Sequence, residues 1–217
     1  MSLAALRQLS VVKTLRINKR YFGWGGVMKP RILCSKHVRL VNVRGSVSCP
    51  DKIGTVQLGF GHVGIVDEKT RPTVWEVQGD VNFGGFARFG PGSRIAVGEG
   101  GVLSCGDGFL ITADSSIIAN KSISFGVDAL VSWGCLFLDS DMHSISRKKD
   151  GCRINDDREI VIGDHVWIGC NSVILKGSVV PDGCVIAAGS TVSGRLESRD
   201  TVYSSRTPLK ADIVWSH

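Results

Sequence analysis

Asp139, Asp141 and His143 stand at alternate positions in LDSDMHSISRKKDGCR, residues 138–153, just ahead of a run of cations. Carboxylates and an imidazole are side chains that can carry protons at neutral pH. In an extended segment, alternation puts all three on one face. Three uses are then open. The imidazole can draw a proton from an attacking hydroxyl while a carboxylate orients the ring or the acceptor. The same residue types can ligate a metal. Or the stretch is a polar turn at the mouth of a loop, where single histidines are common.

Whatever the chemistry, something rigid must hold it, and the sequence downstream supplies a period. Ile162, Ile168, Ile174, Val180, Ile186 and Val192 fall six apart without a break. Two places before each stands a small or β-branched residue or a further aliphatic: Ile160, Val166, Ser172, Ser178, Cys184 and Ser190. Residues two apart on a strand share a face, so each hexad sends one larger and one smaller side chain to the same side. Turn residues such as Gly163, Gly169, Asp182 and Gly189 recur between them. A helix would need 3.6-residue spacing and would not tolerate so much glycine. Short strands stacked in parallel, a β-helix, fit the pattern. Phe83, Phe89 and Ile95 repeat it upstream, as do Phe125, Val131 and Phe137, with a slip in register between 97 and 118.

Residues 139–158 break the period and are expected to leave the wall as a loop. The coil is expected over 81–197 and a C-terminal tail over 198–217. Residues 37–80 read as irregular strands capping the coil. Residues 1–36 read as a helical or irregular segment, with Leu6, Val11, Val12 and Leu15 among Arg7, Lys13, Arg16, Lys19 and Arg20. For so short a segment, a solvated charged face is favoured over contact with a membrane surface.

Composition narrows the classes. With 43% hydrophobic residues in 217, the chain can build a substantial core. No run of about 18 apolar residues suggests a membrane span, and the cationic start does not read as a secretory signal. Seven cysteines are scattered singly without a C-x-x-C pair. They read as small buried fillers in a reducing compartment, so a cytoplasmic location is expected, or one at the inner face of the membrane. The formal charge of +6 suits an anionic ligand such as a phosphorylated cofactor. Nucleic acid is not expected as a partner, because aromatic–basic interleaving and helix-turn-helix patterning are lacking.

The stretch IVIGDHVWIGCNSVILKGSVVPDGCVIAAGSTVSG, together with FGVDALVSWGCLFLDSDMHSI before it, resembles the hexapeptide-repeat acyltransferases. It is most similar to the sugar O-acetyltransferase branch, related to maltose and galactoside acetyltransferases and to enzymes that decorate bacterial polysaccharide. The resemblance covers roughly 80–210. It implies a left-handed parallel β-helix, a homotrimer, and acetyl-CoA as acyl donor with a sugar as acceptor.

It also implies roles. His143 matches the base that deprotonates the acceptor hydroxyl, and Asp141 is chosen as the carboxylate that aligns it or holds a sugar hydroxyl. Asp139 and Asn120 are candidates for substrate contact. Trp167, immediately before an inward Ile, matches a tryptophan that packs the pantetheine arm; a plain surface aromatic is the alternative. Cys170, Ala188 and Ser193 match cofactor contacts, although small residues are also what tight turns demand. Cys170 stands where the family more often has Ser or Gly, and no base is visibly paired with it for a nucleophilic role. Lys210, in SRTPLKAD, matches a basic residue that meets the cofactor phosphates, and Lys176 is a further candidate. His165 reads as a turn residue.

No metal is expected. A carbonic anhydrase on this fold would need three convergent histidines, and of the five here His37, His62 and His217 lie outside the pattern. The alternatives are an N-acyltransferase acting on an amino sugar nucleotide, an antibiotic acetyltransferase on the same fold, or a non-catalytic trimeric scaffold. An amine acceptor needs a base less, so D-x-D-x-H favours oxygen.

Overall fold

Every large residue of the C-terminal hexads is buried, from Ile162 to Val192, and so is each partner two places earlier, from Ile160 to Ser190. Trp167 between them faces out. The computed structural model describes residues 3–216; Met1 and Ser2 of the N-terminal segment, and His217, lie outside the described residues.

Consecutive strands pass in turn through three sheets, each parallel along the coil, which form the walls of a left-handed β-helix. The first face runs from Ile32–Cys34 through Ala87–Phe89, Leu130–Val131, Trp167–Ile168 and Val185–Ile186 to Val202–Ser204. The second runs from Val38–Val43 through Ser116–Ala119, Leu136–Leu138 and Val173–Leu175 to Thr191–Val192. The third runs from Ser46–Ser48 through Ser122–Phe125 and Ile160–Ile162 to Val179–Val180.

Apart from the two coils that carry excursions, Val56 to Ala87 and Leu130 to Trp167, the coils shorten along the chain. On the first face, Ile32 pairs with Val56, 24 residues on; Ala87 with Phe109, 22 on; Leu110 with Leu130, 20 on; and Trp167 with Val185, 18 on. Three hexads make 18, so the six-residue period is clean only where the coil is tightest. The slip after residue 97 marks the wider coils. Those coils are filled by a column of rings, Phe89 to Phe109 at 5.3 Å, Phe109 to Phe125 at 4.7 Å and Phe125 to Phe137 at 5.0 Å. The tight coils hold Ile, Val and Ser instead. A wider bore filled by short aliphatics would leave cavities, each a loss of packing.

The strands between 37 and 80 are not an irregular cap. Val38–Val43 pairs in parallel with Thr73–Val77, and Ser46–Ser48 with Asp80–Phe83. The coil therefore begins near Ile32 rather than at 81. At the other end Val202–Ser204 adds a further rung beyond 197, and Thr207–Lys210 reverses to pair with it antiparallel.

Helices α1 (Leu3–Gln8) and α2 (Val11–Met28, kinked at Gly23) precede the coil. The expected apolar residues of this segment are the exposed ones; α2 buries Thr14, Ile17 and Asn18 instead. The reason is the raw edge of strand Ile32–Cys34. Asn18 accepts from the backbone N–H of Arg31 and Ile32 and donates to the carbonyl of Ile32, while Thr14 accepts from Cys34 N–H. Polar side chains thus close an edge that would otherwise be open to pairing. Neither helix is long and apolar enough to cross a membrane.

Four of the seven cysteines (Cys34, Cys105, Cys135 and Cys184) are the buried fillers expected; Cys49 and Cys170 are half-buried and Cys152 is exposed on the loop. Burial pushes the Cys34 thiol up to about 12.

Candidate active site

The chemistry-bearing residues gather on two edges of the three-sided coil. The loop leaves at the edge between the second and third faces, between Leu136–Leu138 and Ile160–Ile162. Asp139 does not point out with the others. It is fully buried, and its two carboxylate oxygens accept the backbone N–H groups of Asn120 and Lys121, each at 2.8 Å. Those residues form the same turn one coil earlier, so Asp139 stitches two rungs together and presents no surface to a sugar.

The alternation expected of an extended segment is broken at Met142, which takes a left-handed φ of 60°. Its N–H bonds the hydroxyl of Ser140. The turn sends Asp141 and His143 outward while Asp139 stays in. Asn120 reaches this turn, its amide lying 2.9 Å from the Met142 sulfur.

Asp141 does not orient the His143 ring. Its Oδ2 accepts from the Lys176 ammonium and from the Asn155 amide at 2.8 Å. The Lys176 hydrogen bond, then the Asn155 amide, hold its carboxyl below the usual carboxylate range. Lys176 also donates to the Asn155 carbonyl, and its side chain is only 13% exposed. That lysine is committed to the loop base, which leaves it poorly placed to reach cofactor phosphates.

Asn155, 8% exposed, is the residue that sequence reasoning missed. Its amide nitrogen donates to Asp141 Oδ2 and to the carbonyl of His143 at 2.7 Å, and its Oδ1 accepts Ile145 N–H at 2.7 Å. It therefore clamps the backbone on both sides of His143. Nothing in the sequence marks it, because its partners lie 10 to 14 positions away. The His143 ring is exposed and makes no hydrogen bond among the described residues.

The second group lies on the first face and on its edge with the second. Trp167 is 37% exposed and donates its indole N–H to Ser132 at 3.0 Å. Cys170 and Ala188 sit in turns stacked one coil apart, tied by Gly189 N–H to the Cys170 carbonyl at 2.8 Å. A Cβ on Gly169 would meet the Ala188 nitrogen at 2.6 Å, so these turns approach as closely as glycine permits. Ala188 is exposed and Cys170 partly so. The result is a strip of small side chains beside an indole, suited to a narrow chain that carries amides. Ser193 lies apart, exposed at the loop edge, and Lys210 is exposed on the terminal reversed strand.

His165 is a turn residue with φ 51°, as read, but it does more. Its Nδ1 lies 2.6 Å from an Asp128 carboxylate oxygen and its Nε2 3.0 Å from the Trp215 carbonyl. Both partners are acceptors, so only the doubly protonated ring satisfies both. Burial opposes the charge, but the Asp128 hydrogen bond, then the Trp215 carbonyl and the Asp128 charge, outweigh it and raise the pKa. The Trp215 indole stacks on the ring at 4.0 Å and sits 6.0 Å from Trp167. The C-terminal segment is thereby pinned beside the exposed tryptophan. Among the described residues no group of three His, Cys, Asp or Glu could hold a metal.

Known proteins share this architecture. A model of the bacterial transferase hexapeptide, six repeats, matches residues 159–194. A polysialic acid O-acetyltransferase of Neisseria meningitidis is 44% identical over 61 residues, a stretch that spans 28% of this chain and 28% of that protein. The lipopolysaccharide biosynthesis O-acetyl transferase WbbJ of Escherichia coli K12, itself described as putative, is 26% identical over 148 residues, covering 64% of this chain and 74% of its own. Among solved structures, the polySia-specific acetyltransferase NeuO superposes with a TM-score of 0.57 at 19% identity, over 86% of this chain and 84% of that one.

Proposed function

We propose that this chain, which carries the bacterial transferase hexapeptide repeat over residues 159–194, moves an acetyl group from acetyl-CoA onto a sugar hydroxyl in the biosynthesis of a surface polysaccharide. The observation that carries this reading is the excursion at 139–158, which presents an imidazole on a backbone held by a buried amide. His143 is exposed there, with its backbone clamped by Asn155 and its neighbour Asp141 neutralised by Lys176. A rigid coil that holds a clamped polar loop is a scaffold able to bear a site.

The donor supplies an activated thioester. His143 takes the proton of the acceptor hydroxyl as its oxygen closes on the acyl carbon, so the nucleophile forms as the new C–O bond does. The imidazolium then returns that proton to the sulfur as the C–S bond breaks. With Asp141 held by Lys176, no carboxylate among the described residues bonds the ring, and the backbone that carries it is clamped by Asn155. Trp167 and the small turns at Cys170 and Ala188 would pack the pantetheine arm, and Lys210 would meet phosphates. Ser193, on the loop edge, fits the donor less well within one chain.

The loop and the Trp167 strip lie on different edges, which supports a site completed between copies, with a trimer as the simplest closed ring. Such a reaction belongs in the cytoplasm, where acyl-CoA is available and an exposed thiol such as Cys152 persists. The test is release of CoA thiol with a panel of sugar acceptors. His143→Ala should abolish acceptor-dependent release while CoA still quenches tryptophan fluorescence. Failure of the native protein to bind CoA at all would leave a scaffold.

A further inference from the structure

We propose that the outward face of α2, with the groove beside it, docks this protein onto an anionic lipid surface. Charge along the chain is divided sharply. The first 50 residues contain ten of the 26 lysines and arginines and none of the 20 aspartates and glutamates. The remainder holds sixteen cations against twenty acids, so a net +10 is joined to a net −4.

Little of that positive charge is compensated locally. Among the described residues, Lys29 and Arg31 are the members of the ten that form ion pairs, both with Asp51. A depression between α2 and strand Val38–Val43 is lined by Lys13, Arg16 and Arg39 with Val38, Leu40 and Val41. Three cations beside the partly exposed Leu40 and the exposed Val41 suit a phosphate head group next to acyl chain.

The helical segment also carries apolar side chains in water. Val12 is 77% exposed, Trp24 70% and Met28 84%. The Lys19 ammonium lies 4.3 Å over the Trp24 ring, so cation and indole project together. Thr14, Ile17 and Asn18 face the coil, which leaves Val12, Arg16 and Lys19 on the outward ridge. A merely solvated charged face, the expectation from the sequence, leaves these exposed residues unexplained. A soluble polyanion would use the cations alone. A bilayer interface uses both, with indole and aliphatics at the head-group boundary and cations on anionic lipid. Neither helix can cross, so the mode is docking on the surface.

The test centrifuges the full chain with vesicles of phosphatidylcholine alone and with vesicles that also contain phosphatidylglycerol. Pelleting is expected with the mixed vesicles and not the neutral ones, and it should weaken as salt rises. Arg16→Glu and Lys19→Glu should each weaken it by at least about fivefold. Trp24→Ser with Met28→Ser should weaken it severalfold with every cation retained. Equal pelleting on both vesicles, or on neither, would overturn the proposal. So would unaltered binding by the Trp24/Met28 variant, which would assign the patch to soluble polyanions. A smaller particle size for that variant without vesicles would assign the face to a second copy instead. Acetyl transfer to a soluble sugar should be unaffected in every variant, so loss of docking and loss of the proposed activity are separable.

Discussion

The two edges that carry the candidate residues are built by opposite means. The edge between the second and third faces carries a 20-residue excursion held by side chains: Asp139 on two backbone amides, Lys176 on Asp141, Asn155 on the His143 carbonyl. The edge between the first and second faces has its own excursion near the N-terminal end, residues 59–72, and none at the coils that carry Cys170 and Ala188. Its turns at Cys170 and Ala188 stack backbone on backbone, and what it offers is a lack of bulk. One edge presents an exposed imidazole on a clamped backbone; the other presents a strip of small side chains. A single coil cannot bring two of its own edges together, and the proposed reaction therefore calls for a second copy.

Substitutions on the loop edge should have the larger effects. His143→Ala is expected to lower acetyl transfer by roughly 10²–10⁴, the usual range for one positioned acid–base group, with unchanged circular dichroism and CoA binding. Retention of most activity would make the D-x-D-x-H element structural. Asn155→Ala removes the clamp without touching the ring. It should cost on the order of tenfold in turnover, since a lost buried hydrogen-bond set is worth about 1–3 kcal/mol and 1.4 kcal/mol is tenfold. CoA affinity should not move. If turnover also stays put, the clamp does not position His143.

The flat edge should respond in binding. Lys210→Ala is expected to weaken CoA a fewfold, and less at high salt, because an exposed cation meeting phosphate is screened. A pantetheine analogue without phosphates should bind both proteins alike. The smallest effect concerns the C-terminal segment. The His165 pKa is raised, so the contribution of its charged ring is fully present below the ordinary histidine range. That contribution is lost as pH rises through the raised value. Trp215 fluorescence should shift over that interval, and His165→Gln should abolish the shift.

The scaffold was legible in the sequence where coil length and hexad agree. From Ile160 to Val192 the inward pairs are as read, because 18-residue coils let period and geometry coincide. From 37 to 80 the coils take 24 residues or more and carry an excursion between 59 and 72, so the same wall looked irregular. The helix was legible but its buried face was not, since Thr14 and Asn18 pair with strand backbone and hydropathy cannot show that. His143 stood out by type and spacing. Asp139, Asp141 and Lys176 were picked out by charge, yet their partners depend on the left-handed turn at Met142 and on Asn155 across the loop. His165 looked like a turn because its acceptors come from residues 128 and 215, far apart in the chain.

Subunit complementation tests the central claim, that the ring on one edge serves the strip on the other edge of a second copy. His143→Ala spoils one edge, and Ala188→Trp fills the exposed small-residue strip on the other. Each variant alone should be nearly inactive. Unfolded together and refolded as a mixture, they should regain a measurable share of native transfer activity, because some interfaces then pair an intact His143 with an intact strip. A mixture that assembles into mixed oligomers yet stays as inactive as its components would contradict the account, since the two edges would then have to act within one chain.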